Sequence, residues 1–373
     1  MKKKIMFFCG CLEPGADGVG DYTRRLAGAL IEDGFTVQLV SINDNYIKIP
    51  VNEHQYASDK KISVLRMPNC YKWSEKTDTI SNFIEKFDPE WLSLQYVPFS
   101  YHPKGLPFSL SGKLKKLGRV RKWHVMFHEL WVGMDINSSY KLKWWGKVQY
   151  HIIKRMIKDL RPSLMHTQTQ LYQYYLTKMG MDVKRLPLFG NIPITQLKQK
   201  DDYTSSIRIV VFGNIHSNTK LLPFARMIAK LQDKEEASFE VHFVGKNGSN
   251  LTEWVDVFSQ YGIANLVHGV RNQVEISTLL QQCDIGLSTT PLVLDEKSGS
   301  VAAMEEHGLF IINVANKWTP SGYRGKEQAV DDEFDFSRLA LATMKRDITK
   351  VLQTKLKMST EMFTKSLIEI WPA

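Results

Sequence analysis

Long apolar runs are missing from this sequence. The apolar stretch 5–9 is cut at once by Gly10, Cys11 and the Glu13-Pro14-Gly15 turn, far short of a signal-peptide core or of the roughly 20 residues that span a bilayer. The expectation is a cytoplasmic chain. Cysteine is also scarce: Cys9, Cys11, Cys70 and Cys283 are the only four. Their spacing fits neither a zinc site nor a disulfide framework, so they read as reduced and structural. No low-complexity tract occurs, and 43% hydrophobic with 24% charged residues excludes a disordered or fibrous chain. Acidic residues are outnumbered, 39 against 49 Lys and Arg, for a net charge of +10. That excess points to an anionic partner such as nucleotide phosphates or acidic lipid headgroups. Nucleic acid is not expected, because the chain lacks an aromatic ribonucleoprotein signature, a zinc module and a recognition-helix pattern.

What is present is an alternation of short β-branched or aromatic runs with stretches of helical periodicity, the signature of βαβ units and parallel sheets. Strands are expected at 5–9, 36–42, 62–66, 91–95, 124–127 and 163–167, with 185–189 closing the first half. The polar stretch 194–206 reads as a linker. The alternation restarts with strands at 207–212, 239–244, 265–267, 284–288 and 310–314. At 373 residues the chain exceeds one ordinary core. The expected architecture is therefore α/β, two Rossmann-like parallel-sheet domains facing a cleft, spanning 1–193 and 194–354. A helix over 337–370 follows, and its end from about 355 is expected to pack back on the first domain.

The first strand runs into Gly10, Gly15, Gly18, Val19, Gly20 and then an amphipathic helix. Glycines admit close approach of a ligand, and a helix N-terminus offers N–H groups and a positive dipole end. A nicotinamide-cofactor reading would use Asp44, past the second strand, as its ribose acid, but this loop is too long for a dinucleotide turn. A glycine loop needed only for turning is the plainer alternative. In the second half, Lys297-Ser298-Gly299-Ser300-Val301 opens a helix closed by Gly308. It offers amides, hydroxyls and a positive charge to a phosphate, or else an ordinary serine N-cap. The turn from Gly213 and Asn214 to Lys220 is a second phosphate candidate. In a parallel sheet both loops leave the carboxyl ends of strands, where such sheets bind ligands.

These residues together resemble the glycosyltransferases of GT-B fold, in particular the large retaining family 4. They are the opening glycine loop, Phe212-Gly213 with Lys220 beyond it, Val244-Gly245, Cys283-Asp284, Ser298-Gly-Ser and Glu306-His-Gly308. The resemblance implies a nucleotide-sugar co-substrate held mainly by the C-terminal domain, an acceptor held mainly by the N-terminal one, and no cofactor or metal. It implies that Gly18, Val19 and Gly20 face the donor phosphates, that Lys220 meets the diphosphate, and that His128, in Met-Phe-His-Glu, lies near the reacting sugar. The family also carries a glutamate, seven residues and a second glutamate, five residues before the glycine of this turn. Counting back from Gly308 puts Asp295 at the first position and Ala303 at the second, with Glu305 and Glu306 close enough to replace the missing ribose carboxylate. An arginine common after the Gly213 position is Asn214 here.

Gln95, Tyr96, His102, Glu129 and Trp131 are acceptor-side candidates by their place on the same expected sheet edge. The stretches 113–123, 141–147 and 151–158 mix Lys and Arg with Trp, Leu and Ile, and read either as peripheral contact with an anionic membrane or as packed helices with a basic outer face. The acidic run 331–335 reads as a solvated loop, not an Asp-x-Asp metal site. The sequence thus predicts transfer of a hexosyl group from a nucleotide sugar to a glycan, lipid-linked or small-molecule acceptor. A sugar-nucleotide epimerase of the same fold and a catalytically weak, transferase-like partner subunit are the alternatives.

Overall fold

The computed structural model describes residues 3–195, 206–233, 238–323 and 355–370. Most of the expected linker, the acidic run 331–335 and the first half of the expected C-terminal helix lie outside the described residues. The chain divides into two compact units: Met1–Pro187 with Thr319–Tyr323 and Leu356–Ala373, and Leu188–Trp318 with Arg324–Lys355.

The first unit is built as β1 (Lys4–Cys9), α1 (Gly18–Glu32), β2 (Thr36–Asp44), β3 (Val51–Ala57), β4 (Lys60–Pro68), α2 (Trp73–Phe87), β5 (Trp91–Tyr96), α3 (Pro98–Tyr101), α4 (Leu110–Gly118), β6 (Lys122–Phe127), α5 (Tyr140–Leu160), β7 (Leu164–Thr167), α6 (Gln170–Lys178) and β8 (Lys184–Arg185). Its eight strands lie in the order β3-β4-β2-β1-β5-β6-β7-β8. All neighbours are parallel except β3 and β4. Central strands β1 and β5 are almost wholly buried, as strands covered on both faces must be, and they are correspondingly apolar apart from Lys4, at the start of β1, and the buried Ser93 and Gln95 of β5. Helix α1 places Tyr22, Leu26, Ala27 and Leu30 against the sheet at helical spacing. The sequence reading missed β3, and of the expected strand 185–189 only the end of the short β8 pairs.

The C-terminal helix Lys355–Ile370 belongs to this unit through Phe363, which is fully buried against Phe7, His124 and His166.

The second unit has β9 (Ser206–Phe212), α7 (Leu221–Asp233), β10 (Ser238–Val244), α8 (Leu251–Gln260), β11 (Ala264–Gly269), α9 (Gln273–Gln282), β12 (Ile285–Ser288), a 3-10 turn (Leu292–Lys297), α10 (Gly299–Glu306) and β13 (Phe310–Asn313). The sheet order is β11-β10-β9-β12-β13, parallel throughout. Successive residues of β9 serve opposite layers. Ile209 and Val211 pack with Phe224, Phe243 and Phe258, whereas Val210 packs with Leu280, Val301 and Met304. The fold class read from the sequence, two parallel-sheet α/β units in series, is the one observed.

Candidate functional site

In the second unit the two expected phosphate loops touch. Gly213 follows β9 with φ +84°, and a Cβ placed there would lie 2.7 Å from the Ser300 hydroxyl. Only glycine allows the turn both its left-handed backbone and this approach. The turn is held from below: Asn247 Nδ2 donates to the Gly213 carbonyl (2.8 Å), Asn250 Nδ2 to that of Ile215 (2.8 Å), and the His216 amide to Thr289 Oγ1 (3.0 Å). Thr290 Oγ1 donates to Ser298 Oγ (3.3 Å), and Ser298 Oγ accepts the Val301 amide (3.4 Å), so Ser298 is the N-cap of α10 and Val301 N–H is engaged.

Lys297 precedes the cap. Its ammonium, after burial, helps hold the His216 imidazole below its ordinary value. His216 was missed in the sequence, where it is one polar residue among several in the Asn214 to Lys220 turn. The backbone of Lys220 is fixed as α7 begins, its amide donating to the Val314 carbonyl (2.7 Å).

The carboxylates near the missing family position are already engaged. Ala303 is fully buried, Glu306 Oε1 accepts the Gly190 amide (3.1 Å), and Glu305 pairs with Lys355. Asp295 lies in the 3-10 turn, its carbonyl accepting the Ser298 amide (2.8 Å).

In the first unit, the loop after β1 and the start of α1 are brought to the end of β6. The Tyr22 ring meets the His128 ring edge-on at 4.9 Å, and His128, 5% exposed, sits next to Gln95 Oε1 at 2.9 Å. At Gly20 a Cβ would lie 2.6 Å from the Cys11 carbonyl, so the helix can only seat this close without a side chain there. The Val19 amide donates to Asp17 Oδ1 (3.1 Å), the helix N-cap, whose carboxyl burial pushes above its usual range. Gly18 is exposed.

The loop is tied down by groups far away in sequence. Arg24 and Gln55, the latter on β3, both donate to the Leu12 carbonyl (2.9 Å each). Asp44 accepts the Leu12 amide (3.2 Å) and the Arg66 guanidinium (2.9 Å), while Arg66 also pairs with Glu13. Asp44 is therefore a buried anchor of this loop. Burial alone would raise its carboxyl, but the bonds from Arg66, Tyr46 and Leu12 together outweigh that and lower it.

The acceptor-side candidates separate. Gln95 is 1% exposed and supports His128, and Tyr96 is fully buried against Tyr101 and Phe127. His102 Nδ1 accepts the Lys104 and Leu106 amides (3.2 and 3.3 Å), which shapes its own loop. The Glu129 amide bonds the Tyr96 carbonyl beside His128. Trp131 is half-buried between Tyr150 and Tyr175, at 5.4 Å from each.

Of the basic stretches, 113–123 is a packed surface: Leu114, Leu117 and Trp123 are buried, and Lys113 lies over the Trp73 ring at 5.0 Å. The start of α5 differs, with Tyr140 93% and Trp144 64% exposed beside exposed Lys141 and Lys147. Among the described residues no helix is long and apolar enough to cross a membrane.

No protein-family model matches the chain, and no curated protein matches it. Solved structures do. A glycosyltransferase from Rickettsia africae ESF-5 is similar at TM-score 0.55 and 14% identity, over 99% of this chain and 94% of that one. The catalytic domain of starch synthase IV from Arabidopsis thaliana, bound to ADP and acarbose, is similar at 0.58 and 10%, over 99% of each chain. A UDP-forming α,α-trehalose-phosphate synthase from Burkholderia xenovorans is similar at 0.55 and 11%, over 98% of this chain and 99% of that one. At these identities the likeness speaks for the fold, and the chain has the GT-B glycosyltransferase fold.

Proposed function

We propose that the protein is a glycosyltransferase of the retaining family 4 kind, moving a hexosyl group from a nucleotide sugar to a glycan, lipid-linked or small-molecule acceptor without a metal. The observation that carries this reading is the contact of the Gly213 turn with Ser300 at the start of α10, beside Lys297 and His216. A glycine turn, a helix N-terminus and a lysine at one sheet edge suit a diphosphate, whose departure they would stabilise by fixed N–H donors and positive charge. The starch synthase bound to ADP and the UDP-forming synthase, two enzymes of this fold, support the choice of ligand. In this reading His128 hydrogen-bonds the sugar or the developing oxocarbenium ion, and is not a nucleophile.

The test is release of nucleoside diphosphate from a panel of nucleotide sugars, with and without candidate acceptors. Lys297→Ala should weaken nucleoside diphosphate binding about tenfold or more, because a charge-assisted contact is lost. Undiminished binding by that variant would remove Lys297 from the donor site. A second reading, a partner subunit with weak turnover, is favoured by the buried Ala303 and the engaged Glu306. It predicts nucleotide binding without release. Sugar-nucleotide interconversion with no acceptor present would instead select the epimerase.

The exposed Tyr140 and Trp144 with Lys141 and Lys147 suit peripheral contact with an anionic bilayer, aromatics at the headgroup level and lysines over the charge. Co-sedimentation with phosphatidylglycerol vesicles should fall for Trp144→Glu and with added salt. Equal sedimentation of parent and variant would rule that face out.

A further inference from the structure

Five polar side chains of the first unit form one unbroken hydrogen-bonded chain through its core. His128 Nε2 meets Gln95 Oε1 (2.9 Å), and Gln95 Nε2 donates to Ser93 Oγ (2.8 Å). Ser93 Oγ meets His124 Nδ1 (2.7 Å), and His124 Nε2 meets His166 Nδ1 (3.0 Å). All five are buried, on β5, β6, β7 and the residue after β6. The chain ends at His166 Nε2, which has no hydrogen-bond partner among the described residues, with the Phe363 ring 5.7 Å away.

The donor and acceptor inventory of these groups leaves little freedom. Ser93 has one proton. Its oxygen has two lone pairs, one of which takes the Gln95 amide hydrogen, and the proton given to His124 Nδ1 continues the line in the same sense. His124 then carries its hydrogen on Nε2 and donates to His166 Nδ1, so His166 carries its own on Nε2. At the near end, Gln95 Oε1 can only accept, so His128 Nε2 carries a hydrogen. The reverse setting needs the Gln95 amide turned over, the Ser93 hydroxyl turned toward it, and His124, His166 and His128 all in the other tautomer. No single group can switch alone without setting two donors or two lone pairs against each other in a dry interior. Neutrality of the inner histidines, which the chain requires, follows from burial and from neighbouring positive charge. His124 is held well below its ordinary value and His166 at about 3.

We propose that Gln95, Ser93, His124 and His166 are positioning residues that fix the tautomer of His128, with the proton on Nε2. This rests on the reading of His128 as the sugar-side group for its use in transfer, but not for its existence. A ring whose protonated nitrogen is set in advance presents Nδ1 as its acceptor in the neutral form, and holds its plane while the sugar is bound.

The test is long-range proton–nitrogen NMR of the full chain with its ten histidines labelled with nitrogen-15, the His128 signals assigned by His128→Gln. In the parent, neutral His128, His124 and His166 should each show a protonated Nε2 and a bare Nδ1. A His128 averaged between tautomers, or protonated on Nδ1, overturns the proposal. Ser93→Ala should release the Gln95 amide and bring His128 to a tautomer mixture. Gln95→Met should do the same while leaving the His124–His166 pair as it was, and serves if Ser93→Ala does not fold. A His128 spectrum unchanged in the folded variant also overturns the proposal. No donor or turnover enters these readouts, so loss of the transferase reading would leave the tautomer result standing. If both hold, Ser93→Ala lowers kcat for transfer with donor KM unchanged.

Discussion

A single added carbon at Gly213 tests the candidate donor site at residue scale. Its φ of +84° is strained for any other residue, and its Cβ would meet Ser300 Oγ at 2.7 Å. Gly213→Ala should cost about 1–3 kcal/mol of stability, from strain at a left-handed position, and should weaken nucleoside diphosphate binding by displacing Ser300. Calorimetric titration with UDP and ADP reads the second effect directly, and binding equal to the parent's would show that this turn does not shape the ligand site. Gly213 was legible in the sequence because a glycine directly after a β-branched run leaves few reasons other than a turn. Gly20 was legible too, but its observed contact is the Cys11 carbonyl and not a ligand. Sequence alone could not separate those two uses of glycine.

At the scale of elements, the buried histidines of β6 and β7 set a pH dependence. His166 has its folded value lowered to about 3, by burial and by Lys184, and His124 is held well below its ordinary value by burial and by His166 and His128. Below the unfolded value of about 6.5, the unfolded chain binds these protons and the folded one does not. Stability is therefore complete above that pH and is lost progressively as pH falls toward the folded values, by up to about 1.4 kcal/mol per unit for each ring. Urea unfolding between pH 7 and 5 should show this fall, and His166→Gln should make it shallower. An identical slope in the variant would mean that His166 does not titrate as its burial requires. Elements of this kind were only partly legible. Strand β1 reads as an apolar run because both its faces are covered. Strand β3 is polar and half exposed, so no run announces it, yet it supplies Gln55 to the glycine loop. Ser93, Gln95, His124 and His166 stand alone among apolar neighbours, and only the sheet register brings them into one line.

For the whole molecule, the repeated strand–loop–helix alternation carried the fold, because parallel strands need a helical crossover between them. Site chemistry was less legible, since it depends on which loops meet. The meeting of Gly213 with Ser300 could be argued from strand ends. The capture of Glu306 by Gly190 and of Asp44 by Arg66 could not, because both pairs join residues far apart in sequence. The central claim, that this fold holds a nucleotide sugar without a metal, is tested most directly by thermal unfolding with UDP, GDP, ADP, CMP and TDP and their common sugars, with and without EDTA. A ligand at about a hundred times its Kd adds roughly 2.7 kcal/mol to the folded state. The account predicts a clear shift with one base, unchanged by EDTA. No shift with any of them, or a shift abolished by EDTA, would contradict it.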